Sequence, residues 1–130
     1  MNDYRRDNNR NFSFEERDLD LILNGTSEKT REILDIAKKF TEKYSVTQNQ
    51  LRKLYDLIID LPEDKNPRKK IAKVIIMLEY AKNRKSINNN FATELNKLLE
   101  KVLDNAEDNN KIKNFVDFME ALVAYSKGKR

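Results

Sequence analysis

The sequence holds no cysteine and no histidine in 130 residues, and only two glycines and two prolines. Without cysteine there is no disulfide and no thiolate metal site. Without histidine there is no imidazole base, no His-ligated zinc and no Ser-His-Asp triad. Two glycines cannot build a Walker A loop or a dinucleotide-binding fingerprint, so nucleotide chemistry of those kinds is excluded. No apolar run is longer than Val74 to Leu78, far too short to span a bilayer. No apolar segment follows Met1-Asn2-Asp3-Tyr4-Arg5-Arg6, so no secretory signal is expected and the cytoplasm is the expected compartment. The sequons at Asn11 and Asn24 then carry no meaning for glycosylation.

What is present favours helices. Charged residues make up 37% of the chain and hydrophobic residues 38%, while turn formers are scarce. The length suits one domain with a core of its own. Asparagine is common, at sixteen residues, which codon bias in an AT-rich genome explains. The net charge of +4 is uneven. Residues 62–90 carry eight basic and three acidic groups, and residues 111–130 carry five and two. Between them, residues 91–110 carry two basic and five acidic groups. This pattern predicts a basic face and an acidic face.

Residues 1–13 are polar and are expected to form a flexible tail, with a single helical-bundle domain over 14–130. A short helix is expected over 14–23, broken by Asn24-Gly25. A helix from about Glu28 to Lys43 has Ser27 as a possible cap and Ile33, Ile36, Ala37, Phe40 and Tyr44 on one face. Thr47 and Gln50 fit a capping box, and Val46 and Leu51 a hydrophobic staple, for a helix ending near Asp60 before Leu61-Pro62. Asn66 and Pro67 start another, with Ile71, Val74, Ile75 and Leu78 inward; Ala72, Ile76 and Met77 make it apolar over most of its circumference. Phe91, Leu95, Leu98, Leu99 and Val102 place a further helix over about 91–103. The fold class expected is all-α, a compact bundle of about five helices.

The last helix is apolar on two stripes: Ile112, Phe115, Val116, Met119, Leu122 and Val123 form one, and Phe118, Ala121 and Tyr125 the other. A helix with two such faces is central to its fold or gives one of them to a partner. Glu120 sits among apolar neighbours in the sequence and is expected to be a paired hydrogen-bond acceptor rather than a tuned acid.

No convincing catalytic set emerges. The carboxylates mostly stand at ion-pair spacing from Lys or Arg, as Asp56 does from Arg52, which suits solvated pairs. No metal and no cofactor are expected. Thr47-Gln48-Asn49-Gln50-Leu51-Arg52-Lys53 also suits the start of a recognition helix, since Gln, Asn and Arg can read base edges. The basic run Arg68-Lys69-Lys70-Lys73, continued by Lys82, Arg84 and Lys85, can follow a phosphate backbone or be a solvated helix face. Tyr80 and Tyr125 are the candidates for base stacking, although tyrosine in a helix is more often core edge. The composition favours backbone contacts over base reading.

Three segments in series resemble the small "belly" subunit of type III-A CRISPR Csm effector complexes. They are Val46-Thr47-Gln48-Asn49-Gln50-Leu51-Arg52-Lys53-Leu54-Tyr55, Leu78-Glu79-Tyr80-Ala81-Lys82-Asn83-Arg84, and the stretch from Phe115 to Tyr125. Ser126 stands where that family usually has His, so a role depending on that His is not carried over. The resemblance implies a non-catalytic RNA-binding subunit. Several copies would lie beside other Csm subunits along the duplex of guide RNA and target RNA, which base pairing reads while protein contacts the backbone. Matched to the motifs, Arg52, Lys53 and Arg84 are expected to meet phosphates. Lys73, Lys82, Lys85 and Lys127 join them on charge alone. Expected partners are thus guide and target RNA, other Csm subunits and copies of the chain itself, with no membrane. Two alternatives stand beside this: a dimeric helix-turn-helix DNA-binding regulator, and a helical adaptor that binds only protein.

Overall fold

A computed structural model of the chain describes residues 12–126. Among them are six α-helices: α1 (Glu16–Asn24), α2 (Thr30–Lys43), α3 (Gln48–Ile58), α4 (Pro67–Asn83), α5 (Asn89–Asp104) and α6 (Asn109–Tyr125). Short 3-10 turns precede α2 and follow α3, at Ser27–Lys29 and Leu61–Glu63. The described residues contain no strand, so the all-α expectation holds.

α6 is the centre of the bundle. It packs against α1, α2, α3 and α5. Ile112, Phe115, Val116, Met119, Leu122 and Val123 are all buried, and so is Phe118 from the second stripe. The two apolar stripes are therefore needed because α6 is surrounded; of their residues Ala121 is half-buried and Tyr125, at the helix end, is exposed at 39%. Glu120 is exposed. The expectation of a paired Glu120 in an apolar setting is thus corrected: α6 turns it away from the core between Met119 and Ala121.

Local sequence explains most boundaries. At α3 the capping box forms as read: the Gln50 N–H donates to Thr47 Oγ1, and the Thr47 N–H to Gln50 Oε1, each at 3.1 Å. Val46 and Leu51, its staple pair, are both buried. Asn66 caps α4 by accepting from the Lys69 N–H, with Pro67 at the first helical position. α2 starts later than expected, because Ser27 leads a 3-10 turn and accepts from the Thr30 hydroxyl through its backbone carbonyl. α1 ends at Gly25, whose φ of 54° is left-handed. A Cβ there would stand 2.5 Å from the Asn114 side chain, which donates to the Leu23 carbonyl. Gly25 is thus fixed both by its backbone angle and by the approach of α6.

Residues 1–11 of the expected tail lie outside the described residues. Its last two residues, Phe12 and Ser13, instead pack on the domain. Phe40 on α2 gathers an aromatic cluster, with ring centroids 5.3 Å from Phe12, 4.8 Å from Phe14, 5.6 Å from Tyr44 and 4.8 Å from Phe91. The Tyr44 hydroxyl donates to the Phe12 carbonyl at 2.7 Å. Glu94 on α5 holds the next residues. Its carboxylate accepts from the Phe14 N–H at 2.8 Å and pairs with Lys97 at 3.0 Å. Lys97 in turn donates to the Ser13 hydroxyl at 2.8 Å.

Candidate nucleic-acid interface

The basic residues singled out from sequence fall mainly on α3, α4 and the turn after α4. α3 exposes Arg52 and Lys53 side by side. The two point about 100° apart around the helix, so they serve different flanks. Lys53 lines a groove of about 280 Å³ between α3 and α4, with Gln50, Leu54, Leu57, Met77 and Ala81. Arg52 lies one turn beyond Gln48, whose side chain donates to the Val123 carbonyl at the end of α6. It thus stands on the flank of α3 nearer α6. Tyr55, one turn further along that flank, has its hydroxyl pKa raised above 10.0 by burial and then by Glu120, Asp117 and Asp56.

On α4 the cations divide by partner. At its start Arg68 pairs with Glu107 at 3.1 Å, and Lys70 pairs with Asp60 and Asp64 at 3.4 and 3.8 Å. These two members of the expected basic run are engaged within the fold. Lys73, Lys82, Arg84 and Lys85 have no carboxylate within ion-pair distance among the described residues, and neither do Arg52 and Lys53. Lys73, Arg84 and Lys85 are exposed and Lys82 is half-buried. Lys127 lies outside the described residues.

The turn after α4 brings Arg84 and Lys85 to the same end of the groove as α3. Gln50 Nε2 donates to the Ser86 carbonyl at 2.7 Å, which ties the start of α3 to this turn. The helix closes with Arg84 N–H donating to the Tyr80 carbonyl and Ser86 N–H to the Ala81 carbonyl. Lys85 occupies a left-handed conformation, with φ of 60°, the only positive φ on a non-glycine among the described residues. Arg84 lies over the ring of Tyr80, 5.4 Å from its centroid. Lys53 thus lines the groove itself, Lys73 lies one turn before its Met77, Arg84 and Lys85 immediately precede its Ser86, and Arg52 stands on the neighbouring flank of α3.

The same geometry counts against the recognition-helix reading of α3. Gln48 and Gln50, two of the three amides that would read bases, are tied to Val123 and Ser86. α2 and α3 each pack on α6 rather than forming a crossed pair. No helix among the described residues is long and apolar enough to cross a membrane.

Sequence reasoning missed one buried carboxylate. It weighed Glu120, whereas the carboxylate with the lowest exposure among the described residues is Glu94. The available signal was register: Glu94 is adjacent to Leu95 and one turn before Leu98, so it borders the apolar face of α5. Its need for a donor was not visible, because the donor is the Phe14 backbone, 80 residues away in sequence.

A family model described as Csm2 Type III-A matches residues 27–129, which covers α2 to α6 and leaves α1 before it. No curated protein and no solved structure matches the chain.

Proposed function

The chain belongs to the Csm2 Type III-A family, the small subunit of type III-A CRISPR Csm complexes, and from that membership we propose that it is a non-catalytic RNA-binding subunit. It lies along the duplex of guide RNA and target RNA beside other Csm subunits and further copies of itself, as part of antiviral defence in the cytoplasm. Arg52, Lys53, Lys73, Lys82, Arg84 and Lys85 meet the phosphate backbone, and Lys127 extends the set. Base pairing carries the sequence information, and the protein contributes charge and shape.

The observation that supports this reading is that those cations, among the described residues, have no carboxylate partner, whereas Arg68, Lys70, Lys97 and Lys101 do. An exposed lysine or arginine without a carboxylate keeps its full attraction for phosphate. Each one that meets a phosphate releases a counterion, so binding weakens with salt in proportion to the number of contacts. Filter-binding titrations with RNA over a salt series test this. Arg52→Ala and Arg84→Ala should each weaken binding regardless of sequence and lower the salt slope by about one unit. An unchanged slope in both variants would overturn the assignment. Affinity purification from the host, followed by sequencing of bound RNA, should return short uniform guide RNAs together with companion subunits.

A further inference from the structure

The α4 face carries more than charge. Ile76, Met77 and Tyr80 are 66, 49 and 64% exposed, large apolar side chains held out from a helix whose inner face is fully packed. Ile76 and Tyr80 are one turn apart, and Arg84 follows by one more turn, so the three form a ridge. Phosphate contacts alone have no need of such a ridge, and exposed apolar surface of this kind marks a binding site. Its surroundings are cationic. Lys73 precedes it by one turn, Lys53 stands across the groove and Lys85 follows its end, while Glu79 is the one carboxylate on α4 itself. Charge complementarity therefore points to a polyanion, and the aromatic ring selects which part of it.

Resting on the reading that this face meets RNA, we infer that Tyr80, backed by Arg84, is a stacking platform for an unpaired RNA base. The guanidinium lies over the ring and leaves the remaining ring surface open to solvent. A guanidinium, a phenol and a base stack as successive planes, with the positive charge set against the ring's negative face. Every base has a π-face, so such a platform is tolerant of sequence. It cannot act on an uninterrupted duplex, whose bases already stack on one another. The charged face can still follow a duplex backbone, but stacking on Tyr80 takes a base left unpaired in or beside it, and Ile76 and Met77 cover the flank of that base.

Charge and stacking are separable by salt. Full-length protein would be titrated with a single-stranded oligoribonucleotide carrying 2-aminopurine, and with the same strand annealed to its complement, over a salt series. Tyr80→Ala should lose about tenfold in affinity for the single strand, with an unchanged salt slope because no charge is removed. It should leave duplex affinity as it was and abolish the quenching of 2-aminopurine. Tyr80→Phe should retain both affinity and quenching, since the ring remains. Equal binding by Tyr80→Ala and the parent protein, or an equal loss on single strand and duplex, overturns the stacking inference. If Arg84→Ala lowers the salt slope in that case, RNA binding stands and the apolar ridge belongs to a protein partner. If Arg84→Ala also leaves affinity and slope unchanged, RNA binding at this face falls with it.

Discussion

Two regions of this bundle treat their cations differently. Where α1 meets α5, every lysine on α5 is tied to a carboxylate. Lys101 pairs with Glu16 and with Asp20, and Lys97 pairs with Glu94. Where α3 meets α4, Lys53, Lys73, Lys82, Arg84 and Lys85 carry no such partner among the described residues. The division even runs along α4, where Arg68 and Lys70 near its start are paired and Lys82 and Arg84 at its end are not. Paired cations belong to folding, because they anchor an N-terminal segment to the body. Unpaired cations do little for folding and remain available to a ligand. A basic run in the sequence therefore says less about binding than the location of its carboxylates does.

The largest break in that comparison comes at Glu94. Its side chain is 12% exposed and accepts from a buried backbone N–H while pairing with Lys97. Glu94→Ala strands that N–H and leaves Lys97 without its partner, a loss of about 2–3 kcal/mol. Urea melts should show a lower midpoint, while RNA affinity at low temperature stays at the parent value. If the variant kept its stability and lost RNA instead, the division between the two regions would fail.

Lys85 offers a change of opposite sign. Its φ of 60° costs a residue with a Cβ about 1 kcal/mol relative to glycine, and helices that end in this conformation usually do so on glycine, sometimes on asparagine. Lys85→Gly should raise stability by about 0.5–1 kcal/mol, less than the full strain because glycine also loosens the unfolded chain. The same variant should bind RNA less tightly. Thermal melts and filter binding on one preparation check both signs.

Alkaline pH should affect the paired region in a defined window. Tyr44 has its pKa raised above 10.0 by burial and then by Glu94, so the fold favours its neutral form. Lys101 is raised above 10.5, first by its hydrogen bond to Glu16, so the fold favours its charged form. In both cases the folded value exceeds the unfolded one. The stabilisation is present below the ordinary value and is lost as pH rises through the folded value. Stability should therefore fall above about pH 10. Lys101→Met should flatten the part of that fall above 10.5, as melts at successive alkaline pH values would reveal. The effect is modest, within about 1 kcal/mol, because Glu16 and Asp20 are 69 and 53% exposed.

Much of this fold was legible in the chain because its signals are local. The capping box of Thr47 and Gln50, the Asn66-Pro67 start and the five apolar positions of α5 all depend on residues within a few turns of one another. The two stripes of α6 implied a central helix or one that shares a face with a partner, and packing on four neighbours realises the first. What was not legible depends on distant pairs. The sequence presents Glu120 in an apolar neighbourhood, but helical phase turns it outward. Glu94 is buried because residues far back in the chain fold over it. Phe12 and Ser13 read as tail because their anchors, Phe40, Tyr44 and Lys97, are remote. The candidate interface divides similarly. Its residue types were visible, whereas the neutralisation of Arg68 and Lys70 depends on Glu107, Asp60 and Asp64, whose proximity only the packing decides. The exposure of Tyr80 likewise follows from α4 having one inner face and a fully occupied core behind it.

The smallest effect on stability sharpens the comparison most. Lys53→Ala and Lys73→Ala remove exposed charges that touch no carboxylate among the described residues, so each should change stability by less than about 0.5 kcal/mol. Their effect belongs to binding. Each should lower the salt slope for RNA by about one unit, and the double variant by about two, because separated phosphate contacts release their counterions independently. Lys70→Ala is the internal control, since it sits on the same helix within one turn of Lys73 but pairs with Asp60 and Asp64. Its slope should stay near the parent value, and its melting midpoint should fall slightly instead. A reduction of slope by Lys70→Ala equal to that of Lys73→Ala would mean that pairing within the fold does not decide which cations reach RNA.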